Sequence, residues 1–149
     1  MNTKQELYKQ CQEFANNKLQ TIERTIKSNQ EALQSETKSS AGDKHETGRA
    51  MLQLEMEKAG LQLKVVREMK WQLDRIDIDF ISKNIRLGSI VKTSMATYFF
   101  AINAGKLTIE GEDYFAISSN SPIGKLLLGK QEKQEIQFNG NSYIIDAVL

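Results

Sequence analysis

The chain has 149 residues, of which 40% are apolar and 26% are charged, and its formal net charge is +1 at pH 7, a composition typical of one or two small globular domains. Basic and acidic residues balance in both halves of the chain, which argues against binding nucleic acid or an anionic membrane through a strongly basic face. Because the N-terminus lacks the apolar core of a signal peptide and no apolar run reaches the ~20 residues that span a bilayer, we expect a cytoplasmic protein.

The first segment has the spacing of one long amphipathic helix. Its apolar residues recur mostly at steps of three or four, which places them on one narrow stripe. Asn29 falls on this stripe, where a polar residue can fix the register of two packed helices at a cost in stability. Thr3 and Glu6 match a capping box that would begin the helix. The stripe consists of Leu7, Cys11, Ala15, Leu19, Ile22, Ile26 and Leu33.

The only cysteine, Cys11, lies on this apolar stripe. A single cysteine excludes an internal disulfide and a cysteine-cluster metal site. We therefore expect Cys11 to be buried by packing and not to act as a reactive thiol.

A polar stretch, Ser35–Gly48, separates the first helix from a second one of nearly equal length. Two such helices joined by a short connection pack antiparallel as an αα-hairpin. Gly48 indicates a turn, because glycine in a helix interior costs up to ~1 kcal/mol. We predict an antiparallel coiled-coil hairpin over residues 1–82, with its tip near residues 36–48. The second stripe consists of Leu52, Met56, Ala59, Leu63, Val66, Met69 or Lys70, Leu73 and Ile76.

From residue 85 the pattern changes to short strands rich in β-branched and aromatic residues. Asn139-Gly140 is a strong signal for a hairpin turn. Ser121 suits a helix N-cap, Pro122 the first helical position and Gly129 the helix end. We therefore predict that residues 83–149 form a small antiparallel β domain with one short helix, which makes the chain α+β. The predicted strands are Ser89–Thr93, Thr97–Asn103, Lys106–Ile109, Tyr114–Ser118, Glu135–Phe138 and Ser142–Val148.

Asp43 and Glu46 form an acidic pair within the polar stretch. Three residues apart, they would face the same way in a helical turn, and two carboxylates with water and phosphate suit Mg²⁺. Alone the pair would bind weakly, so it indicates a metal site that a partner completes. A solvated turn whose acidic residues favour a helix start explains the same spacing. Arg49, which follows the pair, is suited to contact phosphate or an acidic protein surface.

No phosphate-binding loop, nucleophile elbow or zinc-protease motif occurs in the sequence. We therefore expect that the chain is not an enzyme by itself and that it binds no cofactor alone.

Two segments resemble those of the bacterial Gre-type transcript cleavage factors. Gly42-Asp43-Lys44-His45-Glu46 is similar to the Gly-Asp-x-x-Glu tip of the family's coiled coil. The segment Ser119–Lys130 is similar to the Asn-Ser-Pro segment of the family's C-terminal domain, and Arg86–Val91 is similar to the entry to that domain. The order of these parts agrees over essentially the whole chain.

The resemblance implies that residues 83–149 form an FKBP-like domain that docks on RNA polymerase through the segment Asn120, Ser121, Pro122 and Ile123. The coiled coil would then enter the polymerase secondary channel and meet the nascent RNA only indirectly. At its tip, Asp43 and Glu46 would help to hold Mg²⁺ in the polymerase active centre and activate water, so that a backtracked transcript is cleaved.

Two alternatives stay open. A secondary-channel regulator or inhibitor without cleavage activity would share the docking segment, and Thr47-Gly48-Arg49-Ala50 departs from the family's usual continuation after the acidic pair. A coiled-coil scaffold or adaptor unrelated to polymerase would need only the hairpin. The polar outer faces of the hairpin favour a monomer in each case.

Overall fold

The computed structural model describes the backbone of residues 2–38 and 43–149 and the side chains of residues 2–35 and 47–149. These residues form two long helices, a mixed sheet and one short helix, so the predicted α+β class is confirmed. The helices are α1 (Thr3–Lys38), α2 (Asp43–Asp74) and α3 (Pro122–Leu127). The strands are β1 (Ile90–Thr93), β2 (Thr97–Phe100), β3 (Gly105–Ile109), β4 (Glu112–Ile117), β5 (Glu135–Phe138) and β6 (Asn141–Val148).

The polar stretch between the long helices is more helical than its composition indicates. α1 continues to Lys38 and α2 begins at Asp43, while residues 39–42 lie outside the described residues. Gly48 lies within α2, so the expectation that it marks a turn is wrong. Strong helix formers follow it, including Ala50 and Leu52, and one glycine costs too little to end a helix in that context.

A different pair of residues from the predicted one caps α1. Asn2 Oδ1 accepts a hydrogen bond from the Gln5 backbone N–H at 2.8 Å, and Gln5 Oε1 accepts one from the Asn2 N–H at 3.0 Å. This is the capping-box arrangement displaced by one residue from Thr3 and Glu6. Asparagine is among the best N-cap residues, which explains why the helix begins directly after Asn2.

Packing divides the chain into two compact units, Ala15–Met69 and Met1–Phe14 with Lys70–Leu149. The described residues of the first unit belong to α1 and α2. The second unit combines the start of α1 and the end of α2 with the sheet and α3. The domain boundary expected between residues 82 and 83 stays a prediction.

Within Ala15–Met69 the two helices pack through a narrow apolar seam, as their stripes predict. Ile22 from α1 is buried together with Ala59 and Val66 from α2. Asn29 is also buried, with 7% of its surface exposed, and its Nδ2 has no hydrogen-bond partner among the described residues. The seam residues partly buried around this core are Leu19, Ile26 and Leu63.

In the second unit the start of α1 packs on both the end of α2 and the sheet. Leu7 and Cys11 are fully buried. The Tyr8 hydroxyl donates to the Leu73 carbonyl at 2.9 Å, and Gln10 Nε2 donates to the Thr108 carbonyl of β3 at 3.4 Å. Since β3 is an edge strand, this last contact helps to cover an edge that would otherwise be free to pair.

The six strands lie in the order β3-β4-β2-β1-β6-β5. All neighbouring strands are antiparallel except β2 and β4, which are parallel, so the prediction of a wholly antiparallel sheet is wrong at this pair. The reason is the connection between the strands. After β2 the chain first forms the edge strand β3, and it then returns through a hairpin so that β4 lies between β3 and β2. The Asn139-Gly140 turn is confirmed, with φ of 52° and 79°, as a turn of this type requires.

One face of the sheet carries the main core of the β domain. The short helix α3 covers this face, and Leu127 of α3 is fully buried there. The burial of apolar side chains from α3 and from the strands β1, β2, β4, β5 and β6 stabilises the β domain. The core consists of Ile85, Val91, Phe100, Ile117, Ile123, Leu127, Ile136, Ile145 and Val148.

Candidate functional site

The acidic pair of the sequence motif lies at the beginning of α2. Asp43 is the first residue of the helix, and Glu46 follows one turn later. The positive end of the helix dipole favours carboxylates in this turn. The side chains of both residues lie outside the described residues, so their predicted sharing of Mg²⁺ stays a prediction.

Arg49 follows the acidic pair by a further turn of α2 and is exposed. Its guanidinium is therefore accessible to solvent, and its expected contact with phosphate or an acidic partner surface stays a prediction. In the part of the chain that the structure describes, no group of three or more His, Cys, Asp or Glu side chains is placed to hold a metal ion. No helix of the described residues is long and apolar enough to cross a membrane.

Ser121 and Pro122 of the predicted docking segment begin α3. The Ser121 hydroxyl accepts a hydrogen bond from the Gly124 N–H at 3.1 Å and donates one to the Ser118 carbonyl at 2.7 Å. Pro122 occupies the first turn, where the missing N–H costs nothing. The Ser-Pro pair therefore stabilises the N-terminus of α3.

Gly124 allows the chain to fold tightly around this cap. A Cβ atom at this position would overlap the Ser118 carbonyl oxygen and lie 2.8 Å from Ser121 Oγ. Both contacts are too close for a real side chain, so the position requires glycine. The spacing Ser-Pro-x-Gly thus encodes a compact turn into α3.

The four predicted docking residues differ in their exposure. Asn120 and Pro122 are exposed, Ser121 is half-buried, and Ile123 packs in the core with Leu127. Of these four residues, only Asn120 and Pro122 are therefore exposed enough for direct contact with a partner. Ile123 would act on docking through the position of α3.

Two exposed leucines that the sequence reasoning did not single out extend this surface. Leu126 is 37% exposed and Leu128 is 51% exposed, while Leu127 between them is fully buried. The sequence run Leu126-Leu127-Leu128 indicates that some of these leucines are exposed, because successive residues at the end of a helix cannot all face the core. We define the α3 surface as Asn120, Pro122, Lys125, Leu126 and Leu128.

The end of α3 is joined to the segment that enters the β domain. Ile85 N–H donates to the Lys130 carbonyl at 2.8 Å, and Gly129 N–H donates to the Ile85 carbonyl at 2.9 Å. Arg86–Val91 follows directly. Two of the segments that resemble the Gre-type family, 86–91 and 119–130, therefore meet in the fold.

Cys11 is not part of a reactive site. Burial raises the pKa of its thiol to about 12, so the thiol stays protonated at neutral pH. Burial also lowers the pKa of Lys4, although the nearby Asp77 carboxylate opposes this effect. The prediction that Cys11 is a packing residue is confirmed.

Comparison with known solved structures gives a distant likeness. No protein-family model and no curated protein matches the sequence. Among solved structures, the chain is similar to one described as the structure of the transcription factor Gfh1. The two chains are 17% identical, the match covers 95% of this chain and 92% of the other, and the TM-score is 0.35.

Proposed function

We propose that the protein is a transcription elongation factor that binds RNA polymerase and stimulates cleavage of backtracked transcripts. The observation that carries the proposal is the placement of two motifs in one chain. A Gly-Asp-x-x-Glu motif lies where two long helices meet in sequence, and an Asn-Ser-Pro segment leads into the short helix of a β domain. Helices of 36 and 32 residues provide the arms that such a tip needs.

In this proposal the two parts of the chain have separate roles. The α3 surface binds polymerase through apolar contact and through the Lys125 ammonium, since apolar side chains with a polar rim are typical of protein interfaces. The hairpin then carries Asp43 and Glu46 into the secondary channel. In this proposal the nuclease activity belongs to polymerase and not to this chain.

Asp43 and Glu46 would contribute carboxylate oxygens to Mg²⁺ held mainly by polymerase. A metal ion in such a site lowers the pKa of water and stabilises charge on the transferring phosphate. The carboxylates of this chain would also accept a proton or hydrogen bond from the attacking water. Arg49, one turn later, would lie toward phosphate or an acidic wall of the channel.

The test uses stalled, backtracked elongation complexes with wild-type protein and with the Asp43→Asn/Glu46→Gln variant. This variant keeps side-chain size and removes both charges. We expect cleavage to slow by at least ~10²-fold, the scale of losing a preorganised electrostatic contact in an active centre. Polymerase binding, measured by fluorescence anisotropy of labelled protein, should change less than about threefold, because the variant leaves the α3 surface intact.

The matched control is Glu23→Gln/Glu31→Gln, which removes two exposed charges from α1. It should cleave like wild type. Equal loss in the control and the tip variant would contradict a specific role of the acidic pair.

A second candidate is a secondary-channel regulator without cleavage activity. The departure at Thr47-Gly48-Arg49-Ala50 from the family's continuation favours it. Wild-type protein that binds polymerase and leaves the backtracked transcript intact would support this candidate over the first. No binding at all would exclude both and favour the scaffold or adaptor.

A further inference from the structure

Helix α2 carries a second apolar stripe that is separate from the hairpin seam. Met51, Leu54, Leu61 and Val65 are exposed by 61%, 65%, 68% and 56%. The seam residues of the same helix, such as Ala59 and Val66, are buried. The expectation that the outer faces of the hairpin are polar is therefore wrong for α2. Below, this second stripe is called the outer stripe.

The outer stripe follows the heptad spacing of a coiled coil. Met51, Lys58 and Val65 occupy positions a, and Leu54 and Leu61 occupy positions d. Single exposed apolar residues are ordinary. Met51, Leu54, Leu61 and Val65 follow one another at steps of three, seven and four, with Lys58 at the intervening a position. This is the spacing of a coiled-coil seam with one polar position, and the occupant that fits it is another α-helix.

We propose that the outer stripe pairs antiparallel with the outer stripe of a second copy of this chain. In an antiparallel coiled coil, each a residue lies opposite a d residue of the other helix. A register that places Leu54 opposite Val65 of the second copy also places Lys58 opposite Leu61. The two-fold axis that relates the two copies then crosses the helix pair at the level between Ala59 and Gly60.

The charges beside the stripe are complementary in this register. Glu57 and Lys64 occupy positions g, and an antiparallel pair brings position g of one helix next to position g of the other. Glu57 therefore meets Lys64 of the second copy, and symmetry repeats the pair. At the e positions, Glu55 meets Gln62 in the same way. All four side chains are exposed, so they are accessible for these contacts.

Other registers are less favourable for the same residues. A shift by one heptad that places Met51 opposite Leu61 brings Glu57 next to Glu57 of the second copy. A parallel pair places Lys58 against Lys58 and leaves Lys64 beside Met69. Like charges in contact are destabilising, so the charge pattern selects the antiparallel register with two Glu57–Lys64 pairs.

Lys58 fits within this interface despite its charge. Its aliphatic stem lies along Leu61 of the second copy while the ammonium reaches solvent at the edge. A polar a position of this kind specifies register at a cost in stability. At each end of the stripe, Met51 lies opposite Glu68, which limits the interface to about two heptads.

The short stripe predicts a weak dimer. Stable interfaces bury about 1,200–2,000 Å² in total, and two heptads of one helix pair fall below this range. We expect a dissociation constant on the order of 10–1000 µM. The pairing does not depend on the polymerase-binding proposal, and either can fail while the other holds.

The experiment is sedimentation equilibrium of the full chain from about 10 µM to 1 mM, with the single variants Glu57→Lys and Lys64→Glu. Wild type should shift from monomer to dimer over this range. Each variant alone should dissociate at least about tenfold more readily, because each now faces like charges across the interface.

Mixing the two variants gives the decisive result. A Glu57→Lys chain next to a Lys64→Glu chain restores both opposite-charge pairs, so the mixture should dimerise about as readily as wild type and at least about tenfold more readily than either component alone. The control Glu23→Lys changes an exposed α1 residue and should dimerise like wild type. Circular dichroism of each variant checks that the fold is retained.

Three outcomes of these measurements would overturn the inference, and a fourth comes from a variant of the stripe itself. The first three are a wild type that stays monomeric to 1 mM at low salt, single variants that dimerise as well as wild type, and a mixture that associates no better than its components. Dimerisation that survives Leu54→Gln/Leu61→Gln would likewise assign the interface to another surface.

Discussion

At the scale of single residues, the segment around Ser121 illustrates how a predicted binding motif can also be a folding motif. The Ser121 hydroxyl is engaged on both sides, by the Gly124 N–H and the Ser118 carbonyl. Its replacement would release the first turn of α3 at a cost of about 0.5–2 kcal/mol. A loss of binding after a Ser121 substitution would thus report helix disorder as readily as a lost contact, which makes exposed neighbours better probes.

Gly124→Ala is expected to destabilise the protein by about 2–4 kcal/mol, through overpacking against the Ser118 carbonyl and loss of the cap. Urea unfolding followed by circular dichroism measures this. Gly60→Ala is the matched control, because a Cβ at Gly60 meets nothing within 4 Å. In that helical position alanine should raise stability by up to ~1 kcal/mol. Equal effects of both substitutions would contradict the steric explanation.

At the scale of elements, the helical hairpin combines an apolar seam with the buried polar residue Asn29. The seam of α1 and α2 was predictable from spacing alone, because burial of one face imposes a period of 3.6 residues. Asn29 was recognisable as a polar seam position, but the absence of a hydrogen-bond partner for its Nδ2 among the described residues was not. That depends on which α2 side chains lie opposite, and those are distant in the chain.

Asn29→Leu is expected to raise the free energy of unfolding by about 1–2 kcal/mol, because leucine has a similar shape and removes a buried amide whose Nδ2 has no hydrogen-bond partner among the described residues. Thermal and urea unfolding measure the change. Asn17→Leu, at an exposed position of the same helix, should change stability by less than about 0.5 kcal/mol. A destabilised Asn29→Leu variant would show that the amide has a favourable contact or that it fixes the helix register.

At the scale of the whole molecule, the proposals assign different tasks to different surfaces. The tip motif concerns cleavage, the α3 surface concerns docking, and the outer stripe of α2 concerns self-association. Because these surfaces share no residues, substitutions in one should leave the others nearly unchanged. Separate readouts for cleavage, binding and dimerisation therefore test each proposal by itself.

Leu128→Glu is expected to weaken polymerase binding by at least about tenfold, because it places a charge in the apolar centre of the α3 surface. Ile144→Glu is the matched control: Leu128 is 51% exposed and Ile144 is 50% exposed, in the same unit of the fold. Both variants should keep their melting temperature within a few degrees. Equal binding by Leu128→Glu and wild type would exclude the α3 surface as the docking site.

Local chemistry in the chain was sufficient to predict the type and order of the main elements. Apolar spacing defined the two long helices, Asn139-Gly140 the terminal hairpin, and Ser121-Pro122 with Gly129 the short helix, since each depends on near neighbours only. The same residues could not reveal the parallel β2–β4 pair, the burial of Ile123 beside exposed Leu126 and Leu128, or the exposure of the outer stripe. Those features depend on which distant segments cover a given face, and that choice is made when the long helices and the sheet pack.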